Sequence, residues 1–132
     1  MSNETLMTEI LIVDDNLDAC RPLAKLFSLQ GHSAHCVDNG EAALNLLESD
    51  PPKVLLLDVM MPGMDGMEVL RRVRSDTRYR NIKIVMFSAV SDEMYRTEAL
   101  RKGAQDYIIK ANLDWPALRE KVRQYLSDSQ PV

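Results

Sequence analysis

Five side chains with chemical potential stand where apolar runs of this 132-residue sequence stop: Asp14 and Asp15 after Glu9 to Val13, Asp58 after Lys53 to Leu57, Ser88 after Ile82 to Phe87, and Lys110 after Asp106 to Ile109. Acids brought together repel one another, and a fold accepts that cost chiefly where a cation neutralises them. Oxygen donors with room for water suit Mg²⁺, which dehydrates reluctantly and takes few protein ligands. A carboxylate beside such an ion can attack a phosphoryl group and become an aspartyl phosphate. Asp58, on the central run, is the expected nucleophile, leaving Asp14 and Asp15 for the metal. Lys110 would pair with the added charge while the Ser88 hydroxyl donates to another phosphoryl oxygen. Positioning and charge neutralisation do most of the work in such transfers.

Each residue alone has a plainer reading. Asp14 or Asp15 can simply cap a helix, Asp58 can begin the turn marked by Pro62, Gly63 and Gly66, Lys110 can be a solvated strand-end lysine, and Ser88 alone means little. Their conjunction carries the argument, because ligands of open parallel α/β sheets bind beyond the carboxyl ends of the strands.

The elements that would position them follow from periodicity. Extended runs at 9–13, 33–37, 53–57, 82–87 and 106–109 alternate with amphipathic stretches, the pattern of repeated βα units. The first helix, near Asn16 to Gln30, carries Leu17, Cys20, Ala24 and Phe27 on one stripe and stops at Gly31. Asn39 caps a second helix with Ala42, Ala43, Leu46 and Leu47 inward. Asp65 and Glu68 have capping-box spacing at a third helix. Ser91 is the expected cap of a fourth, ending at Gly103, and Asp114 caps the last, with Pro116 in its first turn. The continuous Val54 to Leu57 run suits a strand covered on both faces. Right-handed crossovers would then put helices on both sides of a five-stranded parallel sheet.

Composition bounds the alternatives. Apolar residues at 45% and charged residues at 27% are those of a globular domain, expected as one domain over 1–132 with its core at about 9–127 and short polar tails. A formal charge of −4 disfavours binding to phosphate backbones and to anionic membranes. No apolar run is long enough for a membrane span, and Met1 to Glu9 lacks a signal peptide's basic and apolar blocks, so the expected location is cytoplasmic. Cys20 and Cys36 are too few for a disulfide framework and read as small core hydrophobes in a reducing compartment. A zinc site from Cys20, His32, His35 and Cys36 is disfavoured, since His35 and Cys36 are neighbours on one strand and point to opposite faces. The basic stretch Arg71, Arg72, Arg74, Arg78, Arg80 and Lys83 is best read as a solvated helix end matching the macrodipole. Met60, Met61, Met64 and Met67 are either core filler or an adaptable docking surface.

The motifs Ile12-Val13-Asp14-Asp15-Asn16, Leu57-Asp58-Val59-Met60-Met61-Pro62-Gly63-Met64-Asp65-Gly66, Ser88-Ala89 and Gly103-Ala104-Gln105-Asp106-Tyr107-Ile108-Ile109-Lys110 strongly resemble a response-regulator receiver domain of two-component signalling, over roughly Glu9 to Ser127. The resemblance implies the flavodoxin-like strand order 2-1-3-4-5 and Asp58 as phosphoacceptor. It implies Mg²⁺ on Asp15, Asp58 and the Met60 carbonyl, with Asp14 holding a water on the metal. It also implies Ser88 and Tyr107 as switch residues, the hydroxyl moving toward the phosphoryl oxygen while the ring turns inward; on its own Tyr107 is equally a half-buried strand aromatic. The implied partners are a sensor histidine kinase or histidine phosphotransfer protein and a downstream protein target met at the fourth helix, fifth strand and fifth helix. The domain would act as a monomer or a phosphorylation-dependent dimer, not as a turnover enzyme, and either alone or as part of a longer regulator.

One residue departs from the family pattern: Ala111 follows Lys110 where proline is usual. A cis bond before alanine costs about 3 kcal/mol, so a trans bond and a slightly displaced Lys110 are expected. A pseudo-receiver working without phosphorylation is the main rival, with Ala111 its one hint. An aspartate-nucleophile phosphatase would need Asp-x-Asp after the first strand, and a flavin binder a Ser/Thr-rich phosphate loop there.

Overall fold

The computed structural model describes residues 8–128. Its elements run β1 Ile10–Val13, α1 Leu17–Leu29, β2 Ala34–Val37, α2 Gly40–Ser49, β3 Val54–Leu57, α3 Gly66–Arg74, β4 Lys83–Ser88, α4 Glu93–Arg101, β5 Asp106–Ile109 and α5 Trp115–Asp128, with single 3₁₀ turns at Thr77–Tyr79 and Lys110–Asn112. All strand pairs are parallel, in the order β2-β1-β3-β4-β5, so the chain reverses its direction of travel across the sheet between β1 and β3. Ligands of such sheets sit at that switch point.

Alternation along each strand sorts the core into two layers. Leu11, Val13, Leu55, Leu57, Ile84 and Met86 face α2, α3 and α4. Ile10, Ile12, Val54, Leu56, Val85 and Phe87 face α1 and α5, where Trp115 meets Phe27 edge-on at 4.9 Å between ring centres. Val54 to Leu57 is fully buried, as a strand covered on both faces must be.

Local chemistry ends most helices as expected. The Asn16 side chain accepts from the Ala19 N–H and Asn39 from Ala42, while Gly31 and Gly103 take positive φ just past α1 and α4. Two details differ. The α4 cap is Asp92, whose carboxylate accepts from Met94, not Ser91: both residue types cap well, and the helix begins one residue later. At α3, Asp65 accepts from the Glu68 N–H, but the Glu68 carboxylate turns to Arg71 and Arg72, so only half of the capping box forms. Those guanidinium groups pull the Glu68 carboxyl down to about 2.

The cysteines also depart from the expectation of free thiols. Cys20 and Cys36 form a disulfide with Cα atoms 6.2 Å apart. Cys36 is paired in register with Ile12, and Cys20 packs over Ile12 from α1, so the fold converges on two sulfurs that lie far apart in sequence.

The basic stretch is mostly solvated, as expected: Arg71 and Arg72 pair with Glu68, and Arg78 with Asp76 and Glu48. Arg74 is different. Its guanidinium turns inward and donates to the carbonyls of Gly103 at 3.0 Å and Ile82 at 2.7 Å, with further bonds to the Tyr79 carbonyl and the Gln105 side chain. Burial lowers its pKa from the ordinary value. It thus ties α3 to the loops that start β4 and β5. Replacing Arg74 by Met leaves these carbonyls without a donor and is expected to cost about 1–3 kcal/mol. Urea unfolding followed by the single tryptophan, Trp115, reads this loss, and Arg72→Ala should leave the midpoint close to that of the parent chain.

Candidate functional site

The carboxyl ends of β1, β3, β4 and β5 bring the sequence-predicted residues to one edge. Asp14 and Asp58 are both nearly buried, 4% and 6% exposed, while Asp15 is open to solvent. One carboxylate oxygen from each of Asp14, Asp15 and Asp58 falls within a common 4.8 Å. Among the described residues this is the one His, Cys, Asp and Glu cluster with metal-ligating geometry, and the disfavoured zinc set forms none.

Lys110 reaches across the sheet to the two buried acids. Its Nζ lies 2.6 Å from Asp14 Oδ2 and 3.2 Å from Asp58 Oδ2, and 5.6 Å from the centre of the Phe87 ring. No cis peptide occurs among the described residues, so Lys110–Ala111 is trans. The following 3₁₀ turn, Lys110–Asn112, carries the chain away without withdrawing the ammonium from the pocket. Burial alone would lower the Lys110 pKa; Asp14 and Asp58 outweigh it and raise the value. Asp58 is raised by its own burial and by Asp14, against the opposing pull of Lys110 and the Met60 N–H. Three carboxylates against one ammonium leave the cluster at a formal charge of −2.

Backbone hydrogen bonds hold the acids in place. The Asp14 N–H donates to Val37 and that of Asp58 to Val13, continuing the sheet ladder one residue past each strand. Asp14 Oδ1 accepts from the Asn16 N–H, which turns the chain into α1 and exposes Asp15. Gly66 closes the other side: its N–H donates to Val59, and a β-carbon there would come within 1.9 Å of the Asp58 carbonyl oxygen. This role follows from packing and is invisible in a Pro/Gly-rich turn read as sequence.

Ser88 is fully buried, and its Oγ accepts from the Val90 N–H at 3.0 Å. Tyr107 is 3% exposed, already turned inward, with its hydroxyl donating to the Val90 carbonyl at 2.7 Å. Burial raises the pKa of this phenol. Val90, which no sequence motif singled out, therefore joins both. Of the four nearby methionines, Met61 is buried, Met64 and Met67 pack against the core, and only Met60 is open, so the docking reading loses most of its surface.

Comparison with known proteins agrees with this geometry. Residues 10–129 match the response regulator receiver domain family. The chain is 42% identical over 107 residues to the regulatory protein AtoC of Escherichia coli, covering 80% of this chain and 23% of that protein. It is 37% identical over 105 residues to the transcriptional regulatory protein AfsQ1 of Streptomyces coelicolor, covering 79% and 45%. The chain thus spans less than half the length of these relatives. The signal receiver domain of a Syntrophus aciditrophicus signal transduction histidine kinase superimposes with a TM-score of 0.85 at 29% identity over 95% of this chain and 94% of that one. The BeF3-activated receiver domain of Klebsiella pneumoniae RstA gives 0.82 at 26% identity, covering 89% and 97%.

Gly66→Ala should force Asp58 or α3 to shift and cost about 1–3 kcal/mol, as overpacking does. The raised Asp58 pKa has a second consequence with a definite sign: the stability it contributes is present below its unfolded value and is lost as pH rises through the folded one. In metal-free buffer, the urea midpoint of Asp58→Asn should therefore gain on that of the parent chain as pH is raised from 4 to 7.

Proposed function

The chain belongs to the receiver-domain family of response regulators, and from that premise we propose that it accepts a phosphoryl group on Asp58 with Mg²⁺ in the acidic pocket. The observation that carries this reading is the Lys110 ammonium bridging Asp14 and Asp58 inside a three-carboxylate cluster that keeps excess negative charge. Three oxygen donors, one of them solvent-facing, fit a hard dication that retains water. Asp15, Asp58 and the Met60 carbonyl would hold it, with Asp14 acting through a water. When bound, it supplies positive charge to the carboxylates and to the incoming phosphoryl oxygens.

The protein's own groups divide the remaining work. An Asp58 oxygen attacks the phosphorus of a phosphohistidine on a sensor kinase or phosphotransfer protein; the new O–P bond forms as the P–N bond breaks, and the histidine nitrogen leaves with the bond pair and is then protonated. Lys110 faces Asp58 already and needs only to exchange its Asp14 contact for a phosphoryl oxygen. The Ser88 hydroxyl accepts from Val90 and also meets the Tyr107 hydroxyl, so donating its hydrogen to the phosphoryl group would exchange that contact. Such a donation pulls on Val90, and through Val90 on the Tyr107 hydroxyl, which makes this pair the route from the site to the α4, β5 and α5 face. Added phosphoryl charge of roughly −1.5 to −2 biases that surface toward a downstream protein target. This is a cytoplasmic signalling switch that assists only its own phosphorylation and dephosphorylation.

Against the pseudo-receiver alternative, which rested on Ala111, speaks the position of Lys110: the ammonium contacts both buried acids without proline after it. Incubation with Mg²⁺ and a small phosphodonor should give one labile phosphoryl adduct by mass spectrometry. The adduct should vanish in Asp58→Asn and without the metal. An adduct that persists in Asp58→Asn, or fails to form in the parent chain, overturns the assignment.

A further inference from the structure

The Cys20–Cys36 disulfide has no part in the function described above, yet it is built against the same pocket. Cys20 lies in the first turn of α1 and is 1% exposed; Cys36 is half-buried on β2, the edge strand. Cys36 pairs in register with Ile12, and Cys20 Sγ stands 3.9 Å from the Ile12 carbonyl oxygen. Asp14, Asp15 and Asn16 run between Ile12 and Cys20. The bond therefore fastens both ends of the segment that carries two of the three acids: its β1 end lies beside Cys36, and its α1 end is bonded to it.

A cavity provides the second observation. About 170 Å³ of space lies on this side of the sheet, and its walls include Cys20, Ile12 and Phe87 together with Asp14 and Lys110. Cys20 and Asp14 thus line one partly open pocket, and the first turn of α1 has room to shift into it once untethered.

We propose that Cys20–Cys36 is a redox-sensitive clamp on the Asp14–Asp15 segment, so that reduction by a thiol reductant frees the first turn of α1 and weakens divalent-cation binding. A thiolate of a small dithiol attacks the sulfur of Cys36, the less buried of the two residues, and expels Cys20 as a thiolate; the second thiol then displaces Cys36. The dithiol is oxidised to its cyclic disulfide, and its two protons end on Cys20 and Cys36, so two electrons and two protons are transferred. A disulfide in a reducing cytosol is typically transient and redox-sensing. The cation part of the proposal rests on the Mg²⁺ reading above; the clamp itself does not.

Hydrogen exchange and calorimetric titration with Mg²⁺, on the full chain before and after dithiothreitol, test both parts. Cys36→Ser serves as a second route, removing the bond at the edge strand and leaving Cys20 packed in the core. Amides 15–20 should exchange at least threefold faster in the reduced chain and in Cys36→Ser, with β3 unchanged. Mg²⁺ should bind roughly threefold more weakly in both, and dithiothreitol should not alter Cys36→Ser further. Unchanged exchange on reduction, or two free thiols in the mildly oxidised native chain, overturns the clamp. Faster exchange with unchanged Mg²⁺ affinity overturns its coupling to the site. Absence of Mg²⁺ binding in either state overturns the metal reading and the coupling with it, and the exchange result then decides the clamp alone.

Discussion

Charge balance at the carboxyl edge of the sheet constrains the rest of this structure. Asp14 and Asp58 are nearly removed from water, and a buried carboxylate is tolerable only with a partner of opposite charge. Lys110 is that partner, delivered from β5 across the intervening β4 strand. The strand order puts β1 and β3 side by side and β5 within reach, so the topology and the ion cluster explain each other. A single ammonium against three acids is also an incomplete balance, and this shortfall is what the proposed cation would make up.

Much of this was legible along the chain because it depends on local rules. Extended runs of four to six residues marked the strands, and polar residues directly after them marked the edge. Asn39 and Asp65 act as caps where their residue types predicted, Asn16 caps the helix whose start it marked, and Gly31 and Gly103 end their helices with positive φ. Strand order came from family resemblance, since periodicity alone does not rank parallel strands.

What escaped was set by packing between distant segments. Pairing of Cys20 with Cys36 depends on register between β1 and β2 and on how α1 lies over Ile12. Arg74 shares its composition and helix with Arg71 and Arg72, yet it alone faces the loops before β4 and β5 and becomes an internal tie. Gly66 looked like one more turn residue, whereas its missing side chain makes room for the Asp58 main chain. The Ser91 and Asp92 choice was a contest between two good caps that a shift of one residue decides.

Val90 holds Ser88 by its amide and Tyr107 by its carbonyl, through the two faces of a single residue's backbone. These two groups sit in the peptide units on either side of the Val90 Cα, so the two side chains are linked through the φ and ψ of one residue. Giving up either bond would leave a buried hydroxyl without its partner, and that cost ties the placement of Ser88 and Tyr107 to the loop that carries Val90.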